Sequence, residues 1–378
     1  MDLSPFLLAW RTTPLRDREV VDALVHPGHA GPSPALARAL AAWPGIYYWA
    51  DEPDGRHLVL TRAAPSRRRE RWLLHALLLV ATLYTVTFAG AVMVGTVPYE
   101  GYMTFFSRGV PETAAFWRAW SSGLAFSLPL LAILLCHELG HYVTARRYLL
   151  DVSPPYFIPL PLVPSFIGTM GAFIRLRTLL SDRRQLFDVG LAGPIAGFLV
   201  ALPVLAVGLA RSHGLPFDPG AAGGGAEDVH GMVLFFGREP ATVLGDSPIT
   251  WVLRRLVVGR TEAVAIHPLA FAGWVGMFVT MLNLLPISQL DGGHILYAAL
   301  PRWHQRVARI FWVGLAALGW LWTGWLIWGL LVLALSRGRL GHPPVLDAYR
   351  PLPRSRRPLA WGALALFALT FAPVPFHL

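Results

Sequence analysis

Over most of this chain the apolar residues neither alternate nor recur at helical spacing. They run on continuously, and clusters of Arg and Pro separate the runs. The first 70 residues differ. Short alternating stretches there, Ile46-Tyr47-Tyr48-Trp49 and His57-Leu58-Val59-Leu60, predict a small α+β region over residues 1–70. About 20 apolar residues cross a hydrocarbon core, and the run over 72–95 is the first that long. Comparable runs predict further spans over 123–146, 187–210, 268–288 and 359–376. The stretch 307–336 is apolar throughout, with Gly319 and Gly324 near its middle. One tilted helix or a hairpin of two short spans, 307–321 and 323–336, both fit it. Arg302, Arg306 and Arg309 before it and Arg337 and Arg339 after it favour the hairpin, which keeps both basic ends on one side.

Residues 153–183 break the pattern. Pro154, Pro155, Pro159, Pro161 and Pro164 forbid a continuous helix, and Gly168–Arg175 reads as a strand. An apolar, Pro-broken segment beside a span predicts a re-entrant β-hairpin or loop, sheltered by protein or a cavity. Residues 211–266 read as an external loop with a Gly/Ala stretch over 219–226. The expected fold is an all-α polytopic membrane protein of about seven transmembrane helices with that re-entrant hairpin. A soluble cytoplasmic α+β region (1–70) precedes a core over 71–336, and 337–378 supplies a cytoplasmic linker and the last span.

Composition supports this reading. Charged residues make up 14% and hydrophobic ones 54% of 378 residues, with a mean hydropathy of +0.49. An ordinary soluble domain is about 25% charged, so soluble enzymes and disordered chains are excluded. The net charge is +10, and every basic side chain apart from His is Arg. These Arg sit beside the apolar runs, at 63–71, 146–147, 175–184, 302–309 and 337–357, rather than in a stripe on a polar fold. That distribution fits membrane anchoring, not nucleic-acid binding. It places the N-terminus and all five segments on the cytoplasmic side and 96–120 and 211–266 outside, with the Arg at 254–260 as a mild exception. Residues 1–16 lack the features of a cleaved signal peptide, so the first span is read as an uncleaved anchor. Cys136 is the only Cys, which leaves no internal disulfide and no Cys-based metal cluster.

The chemistry concentrates in His137-Glu138-Leu139-Gly140-His141, inside the second run. On a helix the i, i+4 spacing puts both imidazoles on one face, where they can grip a single Zn²⁺. Two His and a Glu at membrane depth cost free energy unless they are paired or metal-bound; the structural alternative is a buried hydrogen-bond network. A catalytic zinc takes three protein ligands and keeps one open position. Asp291, in Asn283-Leu-Leu-Pro286-Ile-Ser-Gln-Leu290-Asp291-Gly292-Gly293, is the candidate third ligand, and an N-cap of a helix from His294 is its structural alternative.

These motifs, with Gly168-x-x-Gly171 and Ala192-Gly193-Pro194-x-Ala196-Gly197, resemble the site-2 protease family of intramembrane zinc metalloproteases over roughly residues 72–336. The short loop between the third and fourth spans resembles the PDZ-less branch, which has chloroplast and bacterial members. The resemblance implies an endopeptidase with one Zn²⁺ on His137, His141 and Asp291, and Glu138 as general base towards a zinc-activated water. It implies substrate or oxyanion contacts for Asn283, and an edge strand near Gly168, Thr169 and Gly171 that receives the unwound substrate. Its partners would be transmembrane or signal-peptide-like helices within the lipid bilayer, in a bacterial inner (cytoplasmic) membrane with the site towards the cytoplasm. A scaffold derived from such a protease, a prenyl-protein type protease and a transporter are the competing readings; the complete His/His/Asp set and the Asp291-Gly-Gly context disfavour them. Blander roles are expected elsewhere: a packed thiol for Cys136, a helix-start His for His294, a cap for Asp188, and an interface belt for Trp320, Trp322, Trp325 and Trp328.

Overall fold

The computed structural model describes residues 3–14, 18–63, 70–97, 114–160, 167–177, 180, 182–215, 231–236, 239–259, 263–343, 345 and 351–377. Arg67–Arg69, Pro161, Pro164 and the Gly/Ala stretch 219–226 lie outside them, as does 98–113 of the connector.

The N-terminal region is a sheet with one helix. Strands β1 (Leu7–Pro14) and β2 (Arg18–Val25) precede helix α1 (Pro34–Ala41), and β3 (Ile46–Glu52) and β4 (Gly55–Ala63) follow it. All neighbours are antiparallel, in the order β1-β2-β4-β3. Ser33 caps α1 by accepting from the Leu36 amide, and Pro34 fills its first turn. Leu36 and Leu40 then pack on Val25, Leu58 and Leu60.

Among the described residues three helices are long and apolar enough to cross a bilayer: α2 (Trp72–Val94), then, after the short α3 (Ala114–Ser121), α4 (Leu124–Arg147), and later α5 (Arg183–Ala210). At 1.5 Å per residue each exceeds about 34 Å. Between α4 and α5, β5 (Tyr156–Pro159) and β6 (Thr169–Phe173) pair antiparallel, so the Pro-broken segment does hold a hairpin. Gly168, at φ +83°, docks it on α2: its carbonyl accepts from Thr85 Oγ1 at 2.7 Å, and a Cβ there would lie 2.5 Å from the Thr85 carbonyl. The Arg177 guanidinium adds a bidentate pair to Glu70 at 2.6 and 3.0 Å, and holds that carboxyl below the usual range.

The segment expected as an external loop is instead built. It contains β7 (His213–Gly214), β8 (Gly231–Phe236), β9 (Glu239–Leu244), α6 (Pro248–Val257) and β10 (Ala263–Ala265). Its sheet runs β11-β9-β8-β10-β7, where β11 is the C-terminal Phe376–His377. Met232, Leu234 and Leu244 bury themselves in the same core as α2, α4 and the next helix, which anchors these strands to the bundle.

The remaining helices are α7 (Pro268–Leu284), α8 (Asp291–Ala299), α9 (Pro301–Leu318), α10 (Gly324–Leu335) and α11 (Arg357–Thr370). Several of them are shorter than the spans expected from the sequence. With 17, 12 and 14 residues, α7, α10 and α11 reach only about 26, 18 and 21 Å. Pro286 stops the first of them, and Pro373 and Pro375 lie beyond the last. The 307–336 stretch is two helices, and Trp312 Nε1 donates to the Gly329 carbonyl at 3.1 Å to hold α10 back against α9. At the centre, α4, α5 and α7 approach closely. A Cβ on Gly140 would lie 2.4 Å from the Ala192 carbonyl, and one on Gly208 2.2 Å from the Ala270 nitrogen.

Candidate active site

Helix α4 carries His137, Glu138 and His141 buried within the bundle at 4%, 7% and 7% exposure, so no charge among them is stabilised by bulk water. One turn apart, the two imidazoles converge until their Nε2 atoms are 3.2 Å apart. Asp291 completes the triangle from α8: its Oδ2 lies 3.2 Å from each Nε2.

The chain between α7 and α8 aims that carboxylate. It reverses through Pro286, with Ser288 in the left-handed region at φ +52°. A Cβ on Gly292 would sit 1.9 Å from the Leu284 carbonyl, so no other residue fits this reversal. Leu290, not Asp291, is the N-cap, and no side chain caps the helix. The alternative role for Asp291 as a cap is therefore not what the structure contains.

Helix α5 sets the imidazole orientation. His141 Nδ1 lies 2.7 Å from the Val189 carbonyl, which can only accept, so the ring proton is on Nδ1 and the Nε2 lone pair points into the triangle. Gly193 and Gly197 open this face of α5. A Cβ on Gly193 would fall 2.0 Å from His141 Nε2, and one on Gly197 3.0 Å from His137 Nδ1.

The donor set suits a zinc ion. His141 Nε2 and the Asp291 carboxylate are both acceptors, and two lone pairs facing each other at this range require a cation or a proton between them. Tetrahedral zinc with bonds of about 2.0–2.1 Å separates its ligand atoms by about 3.3 Å, close to the spacings seen here. The Glu138 carboxyl stays within 4.8 Å of both imidazoles and hydrogen-bonds the Ile174 backbone just past β6.

The other expected site residues fall as follows. Asn283, at the end of α7, brings Nδ2 to 3.2 Å from His137 Nε2. Thr169 is engaged inside the hairpin, where Oγ1 donates to the Ile158 carbonyl at 2.8 Å and accepts from the Gly171 amide at 2.9 Å. Gly171 has open space where a Cβ would stand, and the second edge of β6 pairs with no strand among the described residues. Cys136 is a half-buried free thiol. Asp188 is not a cap, since Asp182 caps α5; it receives Arg356 at 2.8 and 3.1 Å and the Tyr148 hydroxyl at 2.5 Å. His294 lies inside α8 rather than at its start, and its Nδ1 is 2.7 Å from His342 Nε2. The Trp belt divides: Trp320 is 93% exposed, while Trp325 is fully buried and donates to the Pro373 carbonyl. The Val189 carbonyl is a component with no signature in sequence.

A buried His/His/carboxylate triangle with a second carboxyl beside it, carried on apolar helices, is the arrangement of a class: membrane metalloproteases with an HExxH helix. The model of one family, described as Peptidase family M50, matches residues 125–319, slightly over half of the chain and inclusive of every residue of the triangle. The chain belongs to that family, the site-2 protease family that its motifs resemble. Relatives are named in the same terms. "Probable zinc metalloprotease EGY1, chloroplastic" is 31% identical over 264 residues in Oryza sativa subsp. japonica, covering 67% of this chain and 41% of that protein. Its counterpart in Arabidopsis thaliana is 32% identical over 260 residues, 67% of this chain and 43% of that one. "Probable zinc metalloprotease EGY2, chloroplastic" of Arabidopsis thaliana is 29% identical over 203 residues, 52% and 32%. The chain thus spans about two-fifths of the length of the EGY1 relatives. No solved structure matches it. Zinc, in the relatives' names, is also the ion that the donor triangle fits.

Proposed function

We propose that this protein is an intramembrane zinc endopeptidase that hydrolyses peptide bonds within transmembrane segments of other membrane proteins. The observation that carries the proposal is the triangle of 3.2 Å separations among His137, His141 and Asp291, with Glu138 beside it. Bound zinc supplies Lewis acidity and brings the pKa of water to about 7. His137, His141 and Asp291 hold it. Glu138 takes the proton of the attacking water and returns it to the leaving amine. With His137 Nε2 committed to zinc, the Asn283 amide would be free to donate to the scissile carbonyl. The edge of β6 that pairs with no strand among the described residues, along Thr169 and Gly171 with Gly168 anchoring its start on α2, offers backbone partners to a substrate helix as it unwinds.

The hairpin dips into the bilayer in this reading, and the shorter helices α7 and α9–α11 complete a seven-crossing path. The membrane is a bacterial cytoplasmic membrane, with the N-terminus and the site towards the cytoplasm. The Arg-rich flanks support that orientation. So does β11, which pairs with β9 and brings the end of α11 to the side of the 231–265 sheet.

The test is Glu138→Gln in the full chain, co-expressed with a single-span membrane substrate. Zinc content is expected to stay near one ion per chain while cleavage falls by about 10²–10⁴-fold, the range of a lost general base. Undiminished cleavage overturns the assignment.

A further inference from the structure

A cavity of about 510 Å³ opens between α8, α9 and α11. Its volume falls in the range of ligand sites, about 300–1,000 Å³. The lining is apolar, from Ile295 and Leu296 through Phe311 to Leu364 and Phe367, with two exceptions: Arg183 and Arg357. Among the described residues no carboxylate lines it.

Both Arg stand at the first residue of a helix, Arg183 on α5 and Arg357 on α11. The first turn of a helix also leaves amide donors unpaired. The neighbouring Arg356 is committed to Asp188 through two hydrogen bonds, which fixes the start of α11 against the first turns of α5. Two guanidinium groups are thereby held at one apolar cavity. They lie at the ends of apolar helices, in the Arg-rich zone that marks the bilayer surface.

We infer that this cavity is a binding site for an anionic glycerophospholipid, with its phosphate between Arg183 and Arg357 and an acyl chain along α8 and α11. A free anion leaves the apolar body of the cavity unexplained. An apolar transmembrane helix brings no anionic group to the two guanidinium groups. An extended peptide would bury backbone groups against a lining whose polar side chains are almost confined to the two guanidinium groups. The bound chain would press on Leu284 and Gly292, which line the cavity and flank the reversal that aims Asp291. The lipid therefore braces the turn that carries the third ligand.

The experiment is lipid binding to the full chain in mild detergent, followed by native mass spectrometry. Phosphatidylglycerol and phosphatidylcholine with identical acyl chains are compared, and inorganic phosphate and a transmembrane substrate peptide serve as competitors. Phosphatidylglycerol is expected to bind the wild-type chain more tightly than phosphatidylcholine. The double variant Arg183→Gln/Arg357→Gln is expected to bind it about thirtyfold more weakly, about fivefold for each cationic contact. Ala360→Trp, which fills the cavity and keeps both Arg, is expected to lose the bound lipid. Equal binding of the two lipids by the wild-type chain overturns the inference without recourse to any variant. So does an undiminished preference in the double variant, displacement by millimolar phosphate, or displacement by the substrate peptide.

Discussion

A methyl group at position 193 would fall 2.0 Å from His141 Nε2. That imidazole is also pinned at Nδ1 by the Val189 carbonyl, so it has no free rotation with which to escape. Gly193→Ala is expected to lower zinc affinity by at least about 10–100-fold, the range seen when groups that orient a ligand are lost. The α-helical circular dichroism should persist, because Ala is a good helix former. Gly197→Ala, where the clash with His137 is 3.0 Å and not 2.0 Å, should cost less. Metal content after dialysis against a weak chelator decides it, and wild-type retention by Gly193→Ala would show that the ring does not need that space. At this scale the sequence was legible where chemistry is carried by side-chain type. His137, Glu138 and His141 stand out by spacing and by the cost of burying them, and Asp291 by ending an apolar run before Gly292-Gly293. Gly193 and Gly197 were visible only as small residues suited to close packing, because a sequence does not show that imidazoles fill the space they leave. The Val189 carbonyl has no sequence signature at all.

Helices respond to length and to what holds their ends. With 14 residues, about 21 Å, α11 is shorter than the hydrocarbon core is thick, so its ends matter. Its start is held by Arg356 on Asp188, and its end by β11 on β9 and by Trp325 on the Pro373 carbonyl. Arg356→Ala leaves Asp188 with Tyr148 and a distant Arg184. The loss of a part-buried bidentate pair is expected to cost about 1–3 kcal/mol. Limited proteolysis in the Arg-rich stretch 337–357 should accelerate, while zinc content stays unchanged because no ligand moves. Equal proteolysis rates in variant and wild type would mean that the pair does not latch the helix. Asp188 shows why such latches escape a sequence reading: its partner lies 168 residues away, whereas the cap it was expected to form is a local pattern. The 231–265 sheet escaped for a related reason. Strands of two to six residues with a parallel β8–β10 pairing leave no long alternating run, and the Gly/Ala stretch nearby reads as linker. Apolar runs announced α2, α4 and α5 because a membrane span needs only one long, unbroken signal.

Across the whole molecule, three His from separate segments meet behind the metal site. His294 of α8 bonds His342, whose backbone amide donates to His304 Nδ1 at the start of α9. Tyr297 stacks on His342 at 4.5 Å. The same C-terminal segment reaches the α7–α8 reversal, where the Ser288 amide donates to the Leu340 carbonyl at 3.0 Å. This contact therefore clamps together α8, α9 and the chain that follows α10. Burial pushes His304 down to about 4, and neighbouring His342 adds to the shift; burial lowers His342 as well. A His whose folded value lies below its unfolded one is stabilising in its neutral form. Its contribution is complete above about pH 6.5, declines as the unfolded chain takes up protons below that, and levels off near pH 4. The thermal midpoint of the full chain should therefore fall between pH 6.5 and 4, at no more than about 1.4 kcal/mol per pH unit for each such His. His304→Phe keeps an aromatic ring in place and removes the titrating group, so its midpoint should fall less steeply over the same interval. Protonation of His137, His141 and Asp291 acts on both proteins and cancels in that comparison. Parallel pH profiles for His304→Phe and the wild type would show that the clamp does not respond to acid. A flatter profile in the variant would locate the acid sensitivity at the seam where the C-terminal segment closes over the helix that bears Asp291.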